Sequence, residues 1–450
     1  MKIHHQRQRK RVDLVTVPNE TQVDSDQYTL CDLLFKKRII LPVRVDAYLR
    51  IGVYRWLTFA CLILSIAVPS LSSPDPQLDF PPVRLNPTEP PARLISAYRL
   101  FKDPKRQIPN DRVVPYDLNT PHFADYANLH RFIWLPKGKS ITYYHDKLEF
   151  PIGAVIIITV GYLNDIRSGH RPASPEGEQI IETRLLVHRK EGWTGLQYIW
   201  DQDTTDAHLS LLGGKVEVSW IHYDGKKRNH TYLMPNQNQC NQCHQINDTV
   251  IPLGPIKAQY LNKDYAYSEE TDNFGSTSTA TSVENQLLHW TRIGYLSGIP
   301  ENIDEIPRIP VWNDPTTGTV EERARAYLDM NCSSCHQPNG LASTSGLDLT
   351  YDQKIPVRYG VFKAPVAAGR GAGDARFAIQ PGRPESSMLL QRLASTDPGV
   401  RMPIVGRSLV HEEGVALIEE WIGQMKFSEM TRLQSTLDQR KAIHLERLKD

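Results

Sequence analysis

The chain has 450 residues, of which 40% are hydrophobic and 23% are charged, and 52 basic side chains nearly balance 51 acidic ones. This composition excludes a collagen-like, a wholly disordered or a polytopic membrane protein. The formal charge of +1 gives no argument for nucleic acid as a partner. At about 150 residues per domain, the length predicts roughly three domains.

The N-terminal part of the chain has the pattern of an exported protein. An uncharged, mostly apolar run at residues 56–68 follows Arg50 and Arg55 and precedes small residues. This run is short for a membrane span and is typical of a secretory signal peptide, which we place at 53–73. We therefore expect a periplasmic protein, with membrane association only if the segment is not cleaved. Residues 1–52 are interpreted as a disordered extension or a start-site artefact.

A proline-rich linker at residues 74–95 leads to a predicted β-rich domain at 96–235. A short amphipathic helix is expected at 94–101. Segments that are apolar, rich in β-branched residues, or alternate between apolar and polar residues then predict a series of strands. These strands are expected at 132–135, 140–144, 154–160, 183–188, 194–200 and 215–222. Glycine-containing pairs such as Asp224-Gly225 supply the turns between them. We expect this domain to be sandwich-like or barrel-like.

After residue 235 the pattern changes to helices joined by long loops. Helical periodicity predicts helices at 284–297, 319–330, 384–393 and 411–425. We divide this part into two mainly helical segments, 236–312 and 313–426, followed by a charged helical tail at 427–450. The predicted fold class is therefore a multidomain α+β protein.

Two copies of the motif C-x-x-C-H are the most specific chemical feature of the sequence. The first copy places Cys240 and Cys243 before His244, and the second places Cys332 and Cys335 before His336. This motif is typical of covalent haem c attachment. On a helical turn, positions i and i+3 share one face, so both thiols can reach one edge of a porphyrin. The sequence predicts two haem c groups, with the adjacent histidines as iron ligands.

Two other uses of the cysteine pairs are less consistent with the sequence. A zinc ion can be shared by two C-x-x-C pairs, but zinc does not require a histidine directly after both of them. A thioredoxin-like dithiol would lie in an α/β pattern, which we do not find.

The second axial ligand of the second haem is predicted to be Met402. This methionine lies beside Pro403 in a loop between two predicted helices, downstream of His336. Met388 and Met425 fall on apolar helical positions and are expected in the core. Thioether ligation should raise the potential of this haem relative to a bis-histidine haem.

For the first haem, His289 is the predicted second ligand. Residues 245–329 contain no methionine and no other histidine. The position could also be vacant, or it could be filled by a lysine of the same segment or by a histidine of the β-rich domain; these side chains are Lys257, Lys263, His122 and His130.

The chain resembles periplasmic di-haem c-type cytochromes in which a β-rich domain precedes two haem segments. The matching stretches lie between residues 95 and 425 and are VPYDLN at 114–119, FPIG at 150–153, ETRLL at 182–186, PNQNQC at 235–240, IPLGP at 251–255, ARAYL at 324–328 and the segment 403–414. Residues 1–52 have no counterpart in this pattern, and the strand at 158–161 departs from it.

The resemblance implies electron transfer in the bacterial cell envelope. It places haem attachment on Cys240, Cys243, Cys332 and Cys335, and iron ligation on His244, His336 and Met402. We expect a one-electron carrier that acts with redox partner proteins. The alternative is a peroxidase-like di-haem enzyme with one open iron site, so the sequence leaves open whether the protein is an enzyme. A β-rich domain that docks a partner is compatible with the carrier.

Overall fold

The computed structural model describes residues 80–168, 177–247, 249–269, 280–366 and 368–430, together with 432 and 435. The predicted extension at 1–52, the signal peptide at 53–73 and most of the tail at 427–450 lie outside these residues. All of the described residues belong to one unit, Gln77–Asp450. Among the helices described, none combines the length and the apolar character that crossing a bilayer demands.

The strands of the described chain all lie between residues 101 and 297. Their bounds are β1 Phe101–Asp103, β2 Ile108–Pro109, β3 Val113–Tyr116, β4 Asn128–Trp134, β5 Ile141–Tyr144, β6 Lys147–Glu149, β7 Val155–Leu163, β8 Glu178–Arg189, β9 Gly192–Trp200, β10 Ala207–Ser210, β11 Gly214–Ile221, β12 Lys227–Met234, β13 Gln245–Ile246, β14 Thr249–Val250, β15 Asp264–Glu269, β16 Ala280–Asn285 and β17 Leu296–Ser297.

The main sheet has six antiparallel strands in the order β10-β9-β8-β7-β4-β3. Successive side chains of a strand point to opposite faces, and here both faces are buried. Phe132 and Ile157 belong to one core, whereas Ile133 and Ile156 belong to another. The predicted β-rich N-terminal region is confirmed, and its main sheet is open rather than closed into a barrel.

Among the described residues, five smaller sheets accompany the main one. Four are antiparallel pairs, β1–β2, β11–β12, β13–β14 and β15–β16, and the fifth has the order β17-β5-β6. The predicted strands at 132–135 and 140–144 both form, but β4 belongs to the main sheet and β5 pairs in parallel with β17.

The helices are concentrated in the C-terminal half of the described chain. The α-helices are α1 Gln237–His244, α2 Gln286–Arg292, α3 Val320–Cys332, α4 Met388–Leu393 and α5 Glu412–Gln424. Short 3-10 helices occur at Ile95–Tyr98, Ile166–Ser168, Ala258–Tyr260, Ile303–Glu305, Ser343–Ser345, Gly369–Ala372 and Pro384–Ser386. The helix predicted at 94–101 is therefore one 3-10 turn followed by β1.

The segment 236–312 is not mainly helical, which corrects the prediction. Its two helices, α1 and α2, are short, and it also contains the β13–β14 and β15–β16 pairs. In β15, Tyr265 and Tyr267 alternate with other residues, and both pack against a core that also contains Trp290 of α2. Alternation of this kind favours a strand.

The segment 313–426 has its own core around α3 and α5. Leu328 of α3 packs with Leu417, Ile418 and Trp421 of α5. Helix α3 begins with a capping box, in which the side chains of Thr319 and Glu322 each accept the other's backbone N–H. This box fixes the start of the helix that carries the second motif at its end.

Candidate functional site

The first C-x-x-C-H motif lies on helix α1. Asn236 caps the helix through a reciprocal box with Gln239, with N–O distances of 3.0 and 2.9 Å. The cap starts the helix directly before the motif, so Cys240 and Cys243 lie one turn apart on a single face. Both thiols and His244 line the same cavity, which we call the first cavity.

The first cavity lies between the main sheet and three other parts of the chain. Ile156, Ile158 and Arg184 contribute from the sheet, and helices α1 and α3 and residues 403–415 form the other walls. Its volume is about 1870 Å³, part of it open to solvent.

The imidazole of His244 is held in an orientation that suits metal binding. Its Nδ1 lies 2.8 Å from the carbonyl oxygen of Ile251, so the ring donates there and Nε2 remains for a ligand. Burial lowers the pKa of His244, and the charge of Arg184 acts in the same direction, whereas the bond to Ile251 opposes them. The ring is therefore neutral at pH 7, which is the form that binds metals.

A second histidine, His122, lines the same cavity. It makes no hydrogen bond to any residue that the structure describes. Burial lowers its pKa to about 3, and the charges of Arg131, Arg184 and His244 add to this effect. His122 is thus a neutral imidazole with unoccupied nitrogens beside the cavity that contains His244.

The structure does not bring His289 to this cavity. Its ring stacks on Tyr267 with 3.5 Å between ring centroids, and its Nδ1 hydrogen-bonds the carboxylate of Glu284. Neither cavity counts His289 among its lining residues. The predicted pairing of His289 with His244 therefore has no support from this placement.

Two lysines and a histidine that could also have ligated the first haem are already paired with carboxylates. Lys263 Nζ lies 3.0 Å from Asp117, and His130 Nε2 lies 3.0 Å from Glu178. Lys257 Nζ lies 3.9 Å from the carboxylate of Asp329. These contacts leave His122 as the better-placed donor for the first cavity.

The second motif follows directly on helix α3. Cys332 is the last residue of α3, and the N–H of His336 donates to the carbonyl oxygen of Cys332 at 2.9 Å, which continues the helical turn. Cys332, Cys335 and His336 all line a second cavity of about 1330 Å³, part of it open to solvent. Met402 lines this cavity too, so the predicted ligand pair shares one cavity.

His336 and Met402 are each fixed by neighbouring groups. Nδ1 of His336 lies 3.0 Å from the hydroxyl of Ser345. Burial lowers the pKa of His336 to about 4, with a contribution from Arg392, so this imidazole is also neutral. The guanidinium of Arg407 donates to the carbonyl oxygen of Met402 at 2.7 and 2.9 Å. Arg407 is buried and also bonds four further carbonyls, those of Arg392, Leu393, Ser395 and Leu409.

The two cavities adjoin each other at the cysteines. Cys243 lines both of them, and Cys335 Sγ donates to the carbonyl oxygen of Gln242, the residue before Cys243, at 3.7 Å. The interaction of the two thiols raises the pKa of Cys243 and lowers the pKa of Cys335, whereas burial raises both. The attachment points of the two motifs are therefore in contact.

The donor chemistry of both cavities fits a covalently attached haem. Each cavity presents the two free thiols of its own motif, the neutral histidine that follows them in sequence, and one further nitrogen or sulfur donor. Within the described ranges, no group of three or more His, Cys, Asp or Glu side chains is arranged to hold a metal ion.

The sequence pattern did not favour His122 as a ligand and gave no role to Arg131, yet both line the first cavity. Arg131 has one sequence signal: it is the one Lys, Arg, Asp or Glu within the otherwise apolar or neutral strand β4. Comparison of the chain with known protein families, with curated proteins and with solved structures gives no match.

Proposed function

We propose that the protein is a di-haem c-type cytochrome that carries single electrons through two covalently attached haems. The observation that carries this proposal is that each C-x-x-C-H motif faces its own cavity, and each cavity contains a further axial donor. These donors are His122 in the first cavity and Met402 in the second.

Each group of residues has a separate part in this proposal. The four cysteines would hold the haems as thioethers, and His244 and His336 would each supply an imidazole to an iron. A haem held there would supply one-electron exchange between ferric and ferrous iron, with no substrate bond made or broken. The chain sets the potential through the second ligand and through burial, so the cavity with Met402 should have the higher potential.

The peroxidase-like alternative requires one iron without a second protein ligand. His122 in the first cavity and Met402 in the second would each supply a second protein ligand, which favours the carrier.

The proposal includes periplasmic location and redox partner proteins of the cell envelope, on the basis of the signal-peptide pattern at 53–73. Membership of the periplasmic di-haem cytochrome family belongs to the same proposal.

The test is expression of the full chain with a haem c ligation machinery, followed by intact mass measurement and visible spectroscopy. We expect the mass of two haems, resistance of both to extraction with acid acetone, and low-spin spectra. The paired variants Cys240→Ala/Cys243→Ala and Cys332→Ala/Cys335→Ala should each retain one haem. A colourless protein, or haem that is fully extracted, would refute the proposal.

A further inference from the structure

Arg131 is a buried cation on the wall of the first cavity. It lies in β4, the neighbour of the edge strand β3 in the main sheet, between Tyr116 of β3 and Ile158 of β7. Its side chain is only 3% exposed, and it lines the first cavity. A charge at such a position is costly unless it has partners.

Within the described residues, only one of the three guanidinium nitrogens of Arg131 donates a hydrogen bond. Nη1 of Arg131 donates to the carboxylate of Asp117 at 3.0 Å and to the carbonyl of Leu129 at 3.3 Å. Nε and Nη2 are buried and have no partner among the residues described. A buried donor without a partner costs about 1–3 kcal/mol, and more when the group is charged.

The charges around Arg131 do not balance. Asp117 is shared with Lys263, whose Nζ lies 3.0 Å from it, and Glu182 is taken by Arg184. The cavity itself is lined by three arginines, Arg131, Arg184 and Arg407, and no carboxylate is among its lining residues. A wall with charges of one sign favours an anion in the cavity.

We propose that Arg131 binds a carboxylate of the ligand in the first cavity through its unused Nε and Nη2. Two adjacent N–H groups of a guanidinium match the two oxygens of a carboxylate in a bidentate pair. This inference rests on the proposed function: for a haem the carboxylate is a propionate. A small anion from the solvent offers the same chemistry, and the experiment separates the two.

The experiment measures the reduction potential of each haem in the purified holoprotein. Arg131→Gln removes a positive charge beside one porphyrin, so we expect the ferric state of that haem to be favoured about tenfold, which is about 59 mV for a one-electron couple. Arg131→Lys keeps the positive charge but lacks the pair of adjacent N–H groups, so it should shift the reduction potential of the same haem less. The control is Arg323→Gln, a buried arginine that lines neither cavity, and it should move neither potential.

Each outcome decides a different point. Two attached haems with potentials that Arg131→Gln leaves unchanged would overturn this inference alone. If that variant does not accumulate, Arg131→Lys decides in the same way. A wild-type potential that shifts with the concentration of inorganic phosphate would overturn the propionate in favour of a solvent anion. A wild-type protein without haem would overturn the proposed function and this inference together.

Discussion

A histidine binds iron only when one ring nitrogen is free, and this condition separates His122 from His289. His289 is held between the ring of Tyr267 and the carboxylate of Glu284. His122 has neither kind of partner among the described residues and lines the cavity that contains His244. The two histidines therefore make different predictions for the first haem.

We predict that His122→Ala converts the first haem from low spin to high spin, because its iron loses the second ligand. The change is measured by visible absorption and by electron paramagnetic resonance of the oxidised protein. His289→Ala is the matched control and should leave both spectra unchanged. The reverse result, with only His289→Ala altering them, would restore His289 as the ligand.

The sequence predicted some residues of this site but not others, and the reason is distance along the chain. The C-x-x-C-H residues are contiguous, and Met402 follows the second motif within the same segment. His122 and Arg131 lie more than a hundred residues before His244, in a separate sheet region. Their presence in the cavity depends on tertiary contacts, which no local pattern encodes.

At the level of elements, a local signal predicted helix α3 well, whereas the pairing of strands was predicted poorly. Helix α3 follows from Thr319 and Glu322, which satisfy backbone groups within one turn. The strand β5, by contrast, pairs on one side with its neighbour β6 and on the other with β17, more than a hundred residues away. The partner β17 could not be predicted, because the partner of a strand is fixed by packing rather than by its own sequence.

We predict that Thr319→Ala lowers the free energy of unfolding by about 0.5–2 kcal/mol, because the N–H of Glu322 loses its acceptor. The measurement is urea denaturation followed by circular dichroism. Thr319→Ser keeps the hydroxyl and should remain close to wild type. Equal destabilisation by both variants would show that the methyl group, and not the cap, matters.

Across the whole molecule, Asp125 joins the β-rich region to the loop that follows Met402. Its carboxylate accepts the backbone N–H groups of Ser408 and Leu409, both at 2.9 Å, and the hydroxyl of Ser408 at 2.7 Å. Burial alone would raise the pKa of Asp125, but hydrogen bonds with His230, Leu409 and Ser408 outweigh it and lower the pKa.

We predict that Asp125→Asn lowers the free energy of unfolding by about 1–3 kcal/mol at pH 7, because an amide cannot accept all of these hydrogen bonds. A carboxylate with a lowered folded pKa stabilises the fold above the unfolded pKa of about 3.9, and this contribution is lost as the pH falls through the folded pKa. The difference in the free energy of unfolding between Asp125→Asn and the wild type should therefore shrink below about pH 4. Urea unfolding at several pH values measures it.

The control for this experiment is Asp111→Asn, which affects an exposed ion pair with Lys102. Exposed ion pairs contribute about 0–1 kcal/mol to the free energy of unfolding, so this control should stay close to the wild type. A loss for Asp125→Asn that is the same at pH 7 and at pH 3 would contradict the titration argument.

The contact between Cys243 and Cys335 predicts electronic coupling between the two proposed haems. Thioether bonds at these residues would bring the two ring edges close together, and closely spaced chromophores share their excited states. We expect a two-signed Soret band in circular dichroism. The one-haem variant Cys332→Ala/Cys335→Ala should give a single-signed band, and a single sign in the two-haem protein would contradict the coupling.

The walls of the first cavity come from parts of the chain that are synthesised at different times. The sheet and helix α1 precede residues 403–415 by at least 150 positions. If haems are attached as proposed, attachment at Cys240 and Cys243 should precede the folding of residues 403–415 against the sheet and helix α1, because that step completes the wall of the cavity.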